Sequence, residues 1–207
     1  MLGCTESADR QVATSEVASK PAVSDEAATQ NPASQEVVKS APTDAETIQS
    51  VAVQVQVASH AELMERIAQA KGRAVVVDVW STSCLPCMEE FPHLVELARR
   101  WPEDVVAISM NVDYLGLPKK PVESYIPKVT EFLSAQRADP SNLSNLVSSD
   151  PDSDLLATLE IESMPAIFIF DRDGRQVSKL TVNNAGEDGL TYAGDVLPLV
   201  EKLVNAR

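Results

Sequence analysis

The sequence predicts an α/β domain: a mixed central sheet flanked by helices, preceded by a disordered N-terminal tether. Three observations carry this expectation. Two nearly continuous apolar runs, Ala74 to Trp80 and Val105 to Val112, suit strands buried on both faces. Helical and strand periodicities alternate through residues 51–207 and close in a strand–turn–strand followed by a helix. Residues 5–50 contain no Phe, Trp, Tyr or Leu, too little apolar surface to offset the entropy of ordering.

The elements read in order. In residues 1–50 scattered prolines (Pro21, Pro32, Pro42) keep the tether extended. Val51, Val53, Val55 and Val57 alternate with Ala52, Gln54, Gln56 and Ala58, the period of a strand. Ser59 is placed to N-cap a helix whose apolar face is Leu63, Ile67 and Ala68, and Lys71-Gly72 ends it. The Ala74 strand comes next, then a helix from near Cys84 to about Arg100, then the Val105 strand. Tyr114 to Pro121 reads as a loop, Val122 to Gln136 as a helix, Leu143 to Val147 as a short strand and Asp152 to Leu159 as a short helix. Ala166 to Phe170 and Gln176 to Val182 are strands joined by Asp171-Arg172-Asp173-Gly174 as a hairpin turn. A helix over Asp195 to Asn205 closes the chain. The folded part, about 150 residues, is enough for one well-buried core.

Composition excludes some functions. The net charge of −14 repels phosphate, so nucleic-acid binding is not expected. The same charge disfavours electrostatic docking on anionic lipid. No run of about eighteen apolar residues occurs, so nothing in this sequence spans a membrane as a helix. There are three cysteines, Cys4, Cys84 and Cys87. An odd count with one close pair points to redox or metal chemistry rather than to a disulfide scaffold.

The pair is the main chemical signal. A buried strand ends at Trp80, and the helix starts near Cys84, where free N–H groups and the macrodipole favour a thiolate. Cys87 lies one turn further on, within reach to resolve a mixed disulfide. Pro86 is tolerated in the first turn. Two metal readings compete. Structural zinc needs about four ligands, and no second Cys/His cluster exists beside the isolated His60 and His93. Cu(I) held by Cys84, Cys87 and Met88 is the other. Asp78 is the only charge in its strand; if buried, its pKa rises and it can accept a proton near the thiols, and if it lies at an exposed strand end it does neither. Glu90 is one turn past Cys87 and either shares its face or is solvated like Glu89. Pro92 removes an internal helical hydrogen bond.

These residues resemble the thioredoxin superfamily, and within it the extracytoplasmic TlpA/ResA-type thiol–disulfide oxidoreductases. Val77-Asp78-Val79-Trp80 followed by Cys84-x-Pro86-Cys87 resembles the thioredoxin strand and redox motif, and Cys87-x-x-Glu90-x-Pro92 the TlpA/ResA pattern. The resemblance covers residues 51–207 and implies a thioredoxin-like fold. It assigns Asp78 to deprotonating Cys87 and Glu90 to a cavity that tunes the thiols. Met164-Pro165, ahead of Ala166-Ile-Phe-Ile-Phe170, matches a cis-proline that faces the cysteine pair. A cis bond there would present the Met164 backbone to an extended substrate. With Trp80, Met164 and Pro165 form the expected substrate-binding set. Between the third strand and that proline, Asp113 to Ser163, and chiefly about 113–145, resembles the central insert of TlpA/ResA-type proteins. Ser83 departs from the Trp that commonly precedes the first Cys, which removes an apolar platform beside Cys84.

The function expected is a thiol–disulfide oxidoreductase, a disulfide reductase of envelope proteins that acts on protein thiols and disulfides and is re-reduced by an upstream thiol donor. No bound cofactor is required. The alternatives are a disulfide oxidase or isomerase, or a redox-inactive binding module such as a copper carrier. Leu2-Gly3-Cys4 before a polar tether resembles a bacterial lipoprotein cleavage box, in which the Cys receives lipid; no basic or apolar leader region precedes it in this sequence. Cys4 is thus the expected lipidation site, and the expected location is the periplasm or cell envelope, membrane-tethered, with the cytoplasm as the alternative. A monomer is expected.

Overall fold

The computed structural model describes residues 52–186 and 189–206. The tether and Cys4 lie outside the described residues. Six strands, β1 (Val55–Ala58), β2 (Ala74–Trp80), β3 (Val105–Asn111), β4 (Leu143–Ser148), β5 (Ala166–Phe170) and β6 (Gln176–Thr181), form one sheet in the order β1-β4-β3-β2-β5-β6. β1, β4, β3 and β2 run parallel. β5 is antiparallel to β2, and β6 to β5. This is the mixed, thioredoxin-like sheet expected. Within the stretch expected to be an insert, the chain supplies α3 (Ile126–Ala135) and the start of β4, which lies between β3 and the edge strand β1.

Every residue of β2 and β3 is buried, as continuous apolar runs demand of central strands covered on both sides. On one face, Ala74, Val76 and Trp80 pack with residues of α2 (Leu85–Arg100), α3 and α5 (Leu197–Asn205). On the other, Val75, Val77 and Val79 pack with α1 (His60–Gln69) and α4 (Asp152–Thr158).

Local chemistry explains the boundaries. Ser59 caps α1 with a capping box: its Oγ accepts from the Glu62 N–H (3.3 Å) and its own N–H donates to Glu62 Oε2 (2.7 Å). The hairpin turn forms at Asp171–Gly174, where Asp171 Oδ1 accepts from the N–H groups of Asp173 and Arg175 and Gly174 takes φ of 80°. The first strand is shorter than expected, because its ladder to β4 begins only at Val55 opposite Asn145. The single helix expected from Val122 is broken. Pro127, at the first turn of α3, has no N–H to donate to the carbonyl four residues back. A 3-10 turn (Val122–Ser124) therefore precedes α3. Pro198 acts similarly at the start of α5, which begins at Leu197 after a π-helical turn, Tyr192–Val196.

Replacing Ser59 by Ala should cost about 1 kcal/mol. Urea unfolding should show a lower midpoint at an unchanged slope, and an unchanged midpoint would mean that the capping box contributes nothing.

Candidate active site

The site forms where β2, β3 and β6 end and β5 begins. Cys84 is the N-cap of α2, in extended conformation, and its Sγ accepts from the Cys87 N–H at 3.3 Å. The two cysteines are joined as a disulfide with Cα atoms 5.3 Å apart. Their surroundings differ. Cys84 is half-buried between the exposed Ser83 and Leu85, the latter 61% exposed, whereas Cys87 is 2% exposed. The helical period sets this difference, since Cys87, Phe91, Leu94, Val95 and Ala98 form the buried stripe of α2.

Asp78 is 2% exposed. Its neighbours on the same pleat, Val76 and Trp80, belong to the layer that holds Cys87, Phe91 and Tyr192, so the period of two points Asp78 to the face that carries Cys87. It is the buried acid, not the strand-end charge. The Tyr192 hydroxyl donates to Asp78 Oδ2 at 2.7 Å, while Oδ1 is buried with no hydrogen-bond partner among the described residues. Burial pushes the Asp78 carboxyl up to about 7; the Tyr192 hydrogen bond opposes the rise and the charge of Glu90 adds to it. Burial, with the Asp78 carboxylate beside it, lifts the Tyr192 phenol well above its ordinary range, so Tyr192 remains a donor.

Glu90 is half-buried, and its Oε2 accepts from the Tyr192 backbone N–H at 2.8 Å. It is therefore not a fully solvated charge like the exposed Glu89. Met164-Pro165 is cis, with Pro165 buried and Met164 half-buried. Val79 pairs with Ala166, so the antiparallel register sets Pro165 beside Trp80, at the end of β2 that leads to Cys84.

Trp80 is corrected. It was expected to contact substrate, but it is 0% exposed. Its ring packs on Phe91 and Phe132, each with centroids 4.9 Å away, and its Nε1–H donates to Ser109 Oγ at 2.8 Å. The pleat turns it inward beneath α2, where substrate has no access.

Two residues escaped the sequence reading. Tyr192 is one. The other is Asp113, just past β3, which grips the loop leading into Cys84. Its Oδ1 accepts from Ser81 Oγ (2.6 Å) and the Thr82 N–H (2.9 Å), and its Oδ2 from Thr82 Oγ1 (2.5 Å). An acid placed directly after one central strand and a Ser-Thr-Ser run directly after its parallel neighbour was the available signal for this clamp. Among the described residues no group of three or more His, Cys, Asp or Glu side chains is arranged to hold a metal ion.

Fold and dithiol together define a thioredoxin-like domain with a C-x-x-C redox pair. The Redoxin family model matches residues 44–194, a span that contains the cysteine pair, Asp78, Glu90, Pro165 and Tyr192, and the chain belongs to that family. Thiol-disulfide oxidoreductase ResA of Bacillus cereus is 25% identical over 129 residues, 62% of this chain and 66% of the relative. ResA of Geobacillus thermodenitrificans is 26% identical over 134 residues, 64% of this chain and 68% of the relative. The chain thus spans just under two thirds of the Bacillus relative. Among solved structures, the pneumococcal exposed lipoprotein thioredoxin Etrx1 of Streptococcus pneumoniae is 23% identical, with a TM-score of 0.48 over 66% of this chain and 90% of that one.

The Asp78 carboxyl gives a pH signature with a definite sign. Its folded pKa, about 7, lies above the ordinary 3.8. The native state therefore holds the proton more tightly, and the stability this supplies is complete below about pH 4 and lost as pH rises through about 7. Asp78→Asn, which does not titrate, should gain on the wild type across that window, reaching roughly a few kcal/mol at pH 8. Thermal unfolding at pH 4 and pH 8 checks this; a difference that does not change with pH would refute it.

Proposed function

We propose that this protein is a thiol–disulfide oxidoreductase that reduces disulfides in polypeptides of the cell envelope. The observation that carries the reading is the unequal burial of the joined cysteines: Cys84 reaches solvent and Cys87 does not. In the reduced protein the Cys84 thiolate, favoured by the N-terminus of α2, attacks a substrate disulfide. One substrate sulfur leaves, and Cys84 is joined to the other. Cys87 then loses its proton and attacks Cys84 Sγ. The mixed disulfide breaks, the second substrate thiol departs and the Cys84–Cys87 bond forms. Two electrons pass from the cysteine pair to the substrate. A thiol donor upstream restores the dithiol.

Each supporting residue has a part in this scheme. Asp78 takes the Cys87 proton, which suits an acid whose pKa lies near 7. The Met164 backbone, ahead of the cis-proline, pairs with extended substrate. Glu90 tunes the thiols through its charge. No bound organic cofactor takes part. The direction of electron flow rests on the TlpA/ResA resemblance. The location, outside the cytoplasm and anchored by lipid on Cys4, rests on the Leu2-Gly3-Cys4 triplet and the polar stretch after it. The protein acts as a monomer.

Cys84→Ser should abolish exchange with a disulfide substrate, and Cys87→Ser should accumulate mixed disulfides visible on non-reducing gels. Turnover by Cys84→Ser at the wild-type rate would end this reading. Equilibration in thiol/disulfide buffers sets the direction: a potential of roughly −250 mV or below supports the reductase, whereas roughly −120 to −180 mV points to an oxidase or isomerase.

A further inference from the structure

Tyr192 makes two hydrogen bonds to two different acids. Its backbone N–H donates to Glu90 Oε2 at 2.8 Å and its hydroxyl donates to Asp78 Oδ2 at 2.7 Å. The side chain is 0% exposed and belongs to the same buried layer as Cys87, Phe91 and Trp80. Its backbone is held in turn. Thr191 begins the π-helical turn, its Oγ1 accepting from the Gly194 N–H, and its own N–H donates to Asp195 Oδ2 at 2.9 Å. The phenol therefore meets Asp78 from a fixed direction.

This geometry distinguishes the two oxygens of Asp78. Oδ2 is occupied by the phenol, whereas Oδ1 is buried and unpartnered among the described residues. A buried carboxylate oxygen without a donor is costly when charged and gains most from a proton. We infer that Tyr192 is a positioning residue for the resolving step, fixing Asp78 so that Oδ1 is the atom that takes the proton from Cys87. The inference rests on the exchange reading above and deepens it.

The step balances. The Cys87 S–H bond breaks and an O–H bond forms on Asp78 Oδ1. The Cys87 thiolate attacks Cys84 Sγ, and the bond from Cys84 to the substrate sulfur breaks with its electron pair passing to that sulfur. The departing thiolate takes a proton from Asp78 or from water. By donating to Oδ2, Tyr192 favours the charged form of Asp78 and opposes the two influences that disfavour it, burial and the nearby Glu90 charge. The other groups around Asp78 are Ser109, opposite it on β3 with its Oγ accepting from Trp80, and Ile167, opposite it on β5. Cys87 comes from α2, and His93 stands beside the phenol with ring centroids 6.3 Å apart.

Tyr192→Phe deletes the hydroxyl and keeps the ring and the backbone N–H on Glu90. The probe is a nitrothiobenzoate group joined to Cys84 of the full chain, whose release by Cys87 is followed by absorbance between pH 5 and 10. In Tyr192→Phe the pH of half-maximal release should move up by about one unit, a roughly fivefold slower release near pH 7 and about tenfold well below it, with convergence on the wild-type rate at high pH. Glu90→Gln, which removes the charge that raises Asp78, should move the midpoint the opposite way. Adding Tyr192→Phe to Asp78→Asn should change neither rate nor profile. Coincident profiles for wild type and Tyr192→Phe, or a slowing uniform across pH as a packing defect would give, would overturn the inference. Failure of the wild-type adduct to release nitrothiobenzoate at any pH would instead overturn the exchange reading beneath it.

Discussion

The site depends on one costly placement, a carboxylate inside a fully buried strand of otherwise apolar residues. Asp78 interrupts a run of Ala, Val and Trp whose members are all buried. An ionised carboxylate there loses most of its hydration, and among the described residues only one of its oxygens recovers a hydrogen bond. An apolar side chain of similar volume would pack at least as well, so packing does not account for the acid. Chemistry does. A carboxyl whose pKa lies near 7 can exist in either form at neutral pH, as the proton transfer proposed for Asp78 requires.

The other parts of the site follow from keeping that acid buried while one sulfur stays accessible. The helical period turns Cys87 inward with Phe91 and Leu94 and leaves Cys84 at the cap, where the chain has not yet entered the helix. The loop ahead of it would be free to move, yet Asp113 holds it by three hydrogen bonds, to Ser81 and to both the backbone and side chain of Thr82. Trp80 fills the space below with its ring against Phe91 and Phe132. The aromatic side chain that resemblance placed near the substrate is thus part of the floor on which the redox helix rests.

What the sequence made legible were features written in short range. Apolar runs located β2 and β3, the Ser59 cap started α1, and the Asp-Arg-Asp-Gly turn joined β5 to β6. The cysteine pair, the buried acid and the cis-proline were found through motif and context. Boundaries failed where proline chemistry intervened, at Pro127 and Pro198, because a periodic apolar pattern passes over a missing N–H without registering it. Tyr192 was illegible for a different reason. Its bond to Asp78 joins positions 114 residues apart, and no local pattern marks a tyrosine as the donor to an acid in another strand. Trp80 was misread because a continuous apolar run marks its strand as buried on both faces without showing which neighbours its ring will meet.

Topology explains why these distant residues meet. In an open α/β sheet the loops that follow parallel strands collect at the carboxyl edge. Cys84 follows β2 and Asp113 follows β3 at that edge. β5 runs the other way, so its first residues, not its last, arrive there, and Pro165 comes beside Trp80. β6 reverses again, and the chain leaves Thr181 at the same edge, where Ala166 pairs with it. The segment from Thr181 to α5 thus starts beside the site and carries Tyr192 across to Asp78 before the last helix departs. A single antiparallel hairpin in an otherwise parallel sheet therefore supplies two things that the parallel strands alone do not, the cis-Pro165 beside Trp80 and a phenol on the buried acid.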